Sequence, residues 1–450
     1  MLGTTKPPLT LAWLAAQLRA HGHDVRLVDL TATRRSADQL ADALARDGWA
    51  PTLILFPSAF PTWDADARAL AVLKARTGAP IFSFGPHAST APDAALRRAP
   101  GVDGLLVGEP EDAAITLAAL APKGDWRAVG SLIFRDQGDI VPHRASGTFA
   151  GFSTAPGPDW SGVEFSNHRL PLVNAPYALV ETSRGCPYTC DFCVAPIHQG
   201  HAFRSRATEW IVAEIERGVR ERDLAYFYLW GDTVTLNLKT FGALADALIA
   251  RRLGIQWLAN ARADKLADPR FVNKLKASGC WMLSFGVEAW SPDSRDAMQK
   301  KLGQVAIRAA VANLKAAGIY SFAFFILGYP GETRVSMDRT IDFASELNVD
   351  FAGFYPAVPY PGTVMGDRAA ASGWLTHPGD WSRLEYSHYA MREGDLDEAT
   401  VLAAVARARR RFYLRPGYVA QHAWDLARVA MTKPGLTARV AAQMLGRSPR

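Results

Sequence analysis

The chain has 450 residues, with 50 Lys and Arg against 44 Asp and Glu and a net charge of +6. Its 49% hydrophobic and 21% charged content excludes a disordered or fibrous chain, and its length supports two or three domains with sizeable cores. No apolar run approaches the ~18 residues that cross a bilayer, and no signal peptide opens the sequence. Three of the four cysteines are grouped, which points to a reducing cytoplasm rather than a disulfide scaffold. Much of the positive charge sits in the last fifty residues (Arg407, Arg409, Arg410, Arg411, Arg415), where a solvated helical face accounts for it. No nucleic-acid partner is expected; an anionic substrate or peripheral membrane contact remains open.

In chain order, residues 8–21 carry Leu11, Leu14, Ala15 and Leu18 at helical spacing, stopped by Gly22. A strand is expected over 24–30 (DVRLVDL), then helix 36–46, strand 52–56, helix 64–75, strand 80–84, helix 91–98, strand 103–107 and helix 111–120. This alternation predicts a doubly wound, flavodoxin-type parallel sheet. Ligands of such sheets sit beyond the carboxyl ends of the strands, which here carry Ser58, the turn Gly85-Pro86-His87, and Gly108-Glu109. Residues 129–142 read as a hairpin around Gln137-Gly138-Asp139, and the Pro-, Gly- and Ser-rich stretch 143–175 as a linker.

A second domain opens with the apolar strand Tyr177 to Val180, followed by RGCPYTCDFC, which sets Cys186, Cys190 and Cys193 at C-x3-C-x2-C spacing. Thiols cluster this tightly for a disulfide, a zinc site, an iron–sulfur cluster, or by chance as buried apolar side chains. Three is an odd number for disulfides, and structural zinc normally takes four ligands. A cubane held by three thiolates leaves its fourth iron open to a small molecule, and this fits best. Strands then alternate with helices: helix 208–221, strand 225–230, helix 238–252, strand 255–259, helix 268–278, strand 281–287, helix 304–317, strand 320–327, helix 333–346 and strand 351–357. Six βα-type units predict a partial (β/α)6 barrel, with chemistry at the carboxyl strand ends: Gly231-Asp232, Asn260 with Arg262, Glu288, the run Gly328 to Glu332, and Tyr360-Pro361-Gly362. The expected division is 1–142, linker 143–175, barrel 176–374 and a helical region 375–450. That last region carries helices 396–413, 416–432 and 435–446, and aromatic residues Trp374, Trp381, Tyr386, Tyr389, Phe412 and Tyr413.

RGCPYTCDFC resembles the cluster loop of the radical S-adenosylmethionine (SAM) superfamily. The stretch KPPLTLAWLAAQLRAHGHDV, with the later GPHA turn, resembles the cobalamin-binding domain found ahead of many such cores. The resemblance implies a [4Fe-4S] cluster on Cys186, Cys190 and Cys193, with Phe192 packed near the adenine of SAM. It implies that Gly231 and Asp232 meet the SAM amine, that Arg262 and Glu288 meet its carboxylate and ribose, and that Ile326 and Gly328 meet its adenine. Cobalamin would lie against Ser58, Gly85, Pro86, His87 and Glu109. The implied activity is radical C-methylation of a lipid, tetrapyrrole or natural-product intermediate. Ring closure or rearrangement without methyl transfer is the alternative, and a flavodoxin or ferredoxin reductase supplies the electron. There are three departures: GDT replaces the commoner GGE, the domain's first strand is expected to be missing, and no D-x-H-x-x-G offers a histidine to cobalt. A tRNA methylthiotransferase would need a second cluster, and only Cys280, expected in the core, remains. A non-catalytic cobalamin- or metal-binding module is disfavoured, because a carrier has no use for the polar set at the barrel's strand ends. His198 and His201 are expected as solvated loop residues, while Arg204 and Arg206 are candidates for a phosphate or carboxylate.

Overall fold

The computed structural model describes residues 6–121, 124–170 and 172–423. The first sheet has five strands in sequence order: β1 (Ile54–Pro57), β2 (Ile81–Phe84), β3 (Gly104–Leu106), β4 (Leu132–Asp136) and β5 (Asp139–Val141). β1 to β3 are parallel, and β4 and β5 form the predicted hairpin, antiparallel to β3. Both faces are covered, as a parallel sheet requires. Trp63, Leu70 and Leu96 pack on one side, while Leu14, Leu117 and Phe134 pack on the other.

The predicted strand over 24–30 does not form. Its side chains alternate as a strand's do, but its backbone has no ladder partner among the described strands. The Val25 carbonyl accepts from the Arg19 guanidinium at 2.5 Å, and Asp29 instead caps the short helix Leu30–Thr33. Alternation shows which face is apolar; it cannot supply the neighbouring strand that makes a ladder.

The predicted linker is also not loose. Phe149, Phe152, Trp160, Phe165 and Leu170 are buried in the large core of the second domain, together with Trp13 of the first helix. The absence of periodicity hid a packed strap, because anchoring by isolated aromatics needs no regular spacing.

The second sheet has six parallel strands in the order β6 (Tyr177–Glu181), β9 (Tyr226–Trp230), β10 (Gln256–Asn260), β11 (Cys280–Glu288), β12 (Tyr320–Leu327) and β13 (Phe351–Pro356). A small antiparallel ribbon, β7 (Ser183–Arg184) with β8 (Arg204–Ser205), flanks the cysteine loop. Helices follow the strands with the stop and start chemistry the sequence announces. Asn237, Asp268, Ser291, Thr333 and Asp397 each accept an amide at a helix start. This is the partial barrel expected from the alternation. Helix Glu398–Tyr413 matches its prediction and packs Phe412 on Phe354. Of the next predicted helix only Pro416–Gln421 is described, and 435–446 lies outside the described residues.

The two sheets meet around one buried cation. Arg184, 4% exposed, bonds Glu181 at 2.9 Å and Glu111 at 2.7 Å, and lies 3.3 Å from Glu109. Arg204 pairs with Glu109 as well. Burial pushes the Glu111 carboxyl up, while burial of Glu109 is outweighed by Arg204 and Arg184, which hold it below the usual carboxylate range. Removing one partner of such a network leaves uncompensated buried charge, at about 3–5 kcal/mol. Arg184→Met is therefore expected to lower stability by about 3 kcal/mol in urea unfolding; a loss under about 1 kcal/mol contradicts the junction's role.

Candidate cluster and nucleotide site

The cysteine loop leaves β7 and lies across the carboxyl end of the barrel. Cys186, Cys190 and Cys193 are all free and half-buried. Burial raises all three thiols, Cys193 to about 12; Cys186 and Cys193 also feel Cys190, while Lys300 and Arg262 partly offset burial at Cys190. Among the described residues no three His, Cys, Asp or Glu side chains converge on a single ion. In a cubane each thiolate ligates its own iron, and three thiols on one loop supply the donor set such a cluster takes.

The loop is pinned from the barrel side. Asp191, between the second and third cysteines, accepts from the Tyr329 hydroxyl at 2.5 Å. Arg368 donates to that hydroxyl at 2.9 Å, and the Asp191 carbonyl accepts from the Met365 amide at 2.9 Å. Tyr329 follows Gly328 at the end of β12. The Gly328 and Tyr329 amides both donate to the buried Glu332 carboxylate, at 2.9 and 3.1 Å, and the Gly328 carbonyl accepts from Tyr389. Ile326 lies half-buried on the inner wall, and Phe192 packs half-buried against the core. Tyr329 lies in the strand-end run Gly328 to Glu332 that the sequence marks, but nothing at sequence level singled out Asp191 or Arg368, because the contact joins residues 138 positions apart.

Beside the thiols lie the polar strand ends. Asp232 follows Gly231, and its Oδ2 is sealed from water without a hydrogen-bond partner. Burial and the Glu181 charge raise its carboxyl to about 6. Glu288 ends β11 with φ +65, where the register to β12 shifts by a bulge. Such a backbone is strained by roughly 1–3 kcal/mol, and bulges re-aim side chains at sites. Here it turns Glu288 onto Lys300 Nζ at 2.6 Å. Burial disfavours the Lys300 cation, but Glu288 and Cys190 more than restore it. Sequence reasoning missed Lys300, which sits in an irregular loop among other lysines. Arg262 is less available than expected. It stacks on Tyr188 at 3.8 Å, pairs with Asp264 at 2.9 Å, and donates to the Lys300 and Lys301 carbonyls at 2.7 Å.

The rim of the first sheet closes on this loop. Ser58, Gly85 and His87 come together: the His87 Nδ1 lies 3.2 Å from the Ser58 carbonyl, and the Ser58 hydroxyl donates to Asp66 at 2.6 Å. His87 is 0% exposed beneath Trp63, and burial lowers it to about 3, so it is neutral and faces inward. The backbone of the Gly85-Pro86-His87 turn, rather than the imidazole, is what a ligand there can meet. Glu109 is occupied by Arg184 and Arg204, so those arginines serve the interface rather than an anion; Arg206 likewise pairs with Glu214 at 2.7 Å. His198 is not the solvated loop residue expected. It lies on helix Ala195–Gln199, 2.8 Å from Ser89 Oγ, and burial lowers it to about 4. His201 is exposed and Cys280 buried, both as expected.

A parallel sheet with a ligand rim, joined to a partial barrel with three thiols at its mouth, defines a cofactor enzyme with two binding domains. The B12 binding domain model matches residues 2–118, and the Radical SAM superfamily model matches residues 180–344. An uncharacterized methyltransferase, PH0819, of Pyrococcus horikoshii is 27% identical over 92% of this chain and 90% of its own length. The anaerobic magnesium-protoporphyrin IX monomethyl ester cyclase of Rubrivivax gelatinosus is 26% identical over 92% of this chain and 75% of that protein. The fold matches the radical SAM methyltransferase TsrM of Kitasatospora setae at a TM-score of 0.70 and 20% identity, over 83% of this chain and 77% of that one. The chain belongs to the radical SAM enzymes that carry a cobalamin-binding domain.

Burial raises Glu332 to about 7. A carboxyl raised from 4.5 contributes stability that is full below pH ~4.5 and lost as pH climbs through ~7, because the folded state holds the proton longer. Wild type is expected to lose up to roughly 3 kcal/mol more than Glu332→Gln between pH 4.5 and 8, read from urea midpoints. Parallel pH curves contradict this.

Proposed function

We propose that the chain is a cobalamin-dependent radical SAM methyltransferase that adds a methyl group to carbon in a small-molecule or lipid substrate. The observation that carries this is the trio of neighbouring, half-buried thiols at the barrel mouth, faced by the ligand rim of the first sheet. Cys186, Cys190 and Cys193 would hold a [4Fe-4S] cluster, since their donor set supplies three thiolates and leaves one iron open. The sealed, unpartnered Oδ2 of Asp232 suits a cationic donor such as the SAM ammonium, next to the Gly231 backbone. Lys300 and Glu288 offer a cation for the SAM carboxylate and an acceptor for its ribose. Arg262 supports this pair by fixing the Lys300 backbone. Phe192, Ile326 and Gly328 would border the adenine. Ser58, Gly85, Pro86 and the His87 backbone would border the corrin, with Glu109 fixing the rim.

When bound, the cluster and SAM supply a hydrogen-abstracting adenosyl radical, and cobalamin supplies the methyl group. The chain's own part is positional. Tyr329 and Arg368 fix Asp191 and hence the spacing between two cysteines. Arg184 holds the rim against the loop, and the aromatic strap 143–175 excludes water from the junction. On this reading residues 1–142 are the cobalamin unit, 176–374 the barrel and 375–450 a helical region, of which residues 424–450 lie outside the described residues. Flavodoxin or ferredoxin would donate the electron, in a reducing cytoplasm. No helix among the described residues is long and apolar enough to cross a membrane. On the basic helix Arg411 pairs with Asp342 and Arg407 with Asp338, each at 2.6 Å, which leaves little charge for a peripheral membrane contact. The similarity to a cyclase keeps ring closure without methyl transfer as the second reading.

Anaerobically reconstituted protein given SAM, reductant and candidate substrate is expected to release 5′-deoxyadenosine and a product heavier by one methyl group. Replacing any of the three cysteines by alanine should abolish both. A product lighter by two hydrogens, with no methyl gained, would establish the cyclase reading instead.

A further inference from the structure

Two short helices from different halves of the chain meet at the carboxyl ends of β2 and β3. Helix Pro86–Thr90 follows the Gly85 turn of the first sheet, and helix Ala195–Gln199 begins two residues past Cys193. Ser89 on the first meets His198 on the second, with Oγ and Nδ1 2.8 Å apart. The same hydroxyl oxygen accepts the Gly108 amide at 2.9 Å and lies 3.3 Å from the Gly85 carbonyl. Gly85 and Gly108 lie just past β2 and β3. The imidazole therefore stands at the edge where a doubly wound sheet takes its ligands.

One nitrogen of this imidazole is anchored and the other is not. Among the described residues the His198 Nε2 has no hydrogen-bond partner, yet it is not sealed from water as the His87 Nε2 is. A serine hydroxyl has one proton to give and two lone pairs. Ser89 can donate to Nδ1. It can also turn to the Gly85 carbonyl and accept an Nδ1 proton while still accepting from Gly108. In that second arrangement Nε2 presents a bare lone pair, and no heavy atom has moved. A histidine whose other nitrogen donates to a fixed oxygen is set up as a metal ligand. Burial keeps the ring neutral, which is the form that ligates metals. His87 cannot serve in its place, because its Nδ1 faces the Ser58 carbonyl and its Nε2 is sealed.

We propose that His198 coordinates the cobalt of the bound cobalamin through Nε2, with Ser89 as the positioning residue that orients it. The inference rests on the cobalamin reading above and goes beyond it, naming an axial ligand that comes from the barrel side rather than from the first sheet. The first domain has no D-x-H-x-x-G histidine of its own to offer. An imidazole on one axial position leaves the other for the methyl group. His198 rides on the segment that carries Cys193, so coordination ties the cobalt to the cluster loop. Ser89 and Arg184 then hold that segment against the first sheet from two places.

The test is EPR of cob(II)alamin bound to the full chain, with the iron–sulfur cluster in place and oxidised so that it is silent. An axial nitrogen splits each cobalt line into a triplet, and nitrogen-15 at that position splits it into a doublet. Protein made with nitrogen-15 histidine and loaded with ordinary cobalamin is expected to give doublets. His198→Gln is expected to lose the splitting while still holding cobalamin, iron and SAM, and Ser89→Ala to lower the nitrogen-ligated share about tenfold. Triplets from the labelled protein would make the cofactor's own benzimidazole the ligand, and unsplit lines would mean that no nitrogen is bound. Either result overturns the inference and leaves the cobalamin reading standing, as do doublets that survive His198→Gln. Unchanged splitting in Ser89→Ala overturns the positioning role. If wild type does not hold cobalamin at all, the cobalamin reading itself falls, and the inference with it.

Discussion

A single buried guanidinium ties the molecule together. Arg184 stands two residues before Cys186 and lies among carboxylates from both sheets: Glu109 and Glu111 from the end of β3, and Glu181 from β6. A cation at this depth is tolerated only with such partners. The carboxylates in turn are tolerated only with the cation. The position of the cysteine loop and the position of the first sheet's ligand rim are therefore set by one electrostatic requirement. Glu109, which sequence order suggests as a ligand contact, instead belongs to this joint.

Around that joint the site is built from irregularities. A bulge with a left-handed residue at Glu288 ends β11, the Gly328–Glu332 turn folds its amides onto a buried carboxylate, and Asp191 reaches across the loop to Tyr329. Each departs from regular strand or helix, and each brings a polar group to the barrel mouth. The wall below is regular, with Glu181, Asn260 and Ser284 among the inward residues of the first four strands and Phe322, Phe324 and Phe351 among those of the last two.

Much of this was legible in the sequence. The alternation of apolar strands with capped helices gave the partial barrel nearly residue by residue, since a strand buried on both faces needs a continuous apolar run and a helix needs its cap. Cys186, Cys190 and Cys193 were visible because ligand spacing on one loop is local. What failed was non-local. Residues 24–30 alternate correctly but lack a ladder partner, the strap 143–175 buries aromatics without a period, and His198 finds Ser89 across 109 positions. Lys300, Asp191 and Arg368 carry no sequence signal of their own. Their significance comes from the groups they meet, and the order of residues along a chain does not reveal those groups.

The most direct measurement is Mössbauer and EPR spectroscopy of the anaerobically reconstituted chain, with and without SAM. The account predicts one cubane of about four irons per chain, held by three thiolates, whose signal changes when SAM occupies the open iron. A mononuclear or two-iron spectrum, or a cubane whose signal is indifferent to SAM, would contradict it.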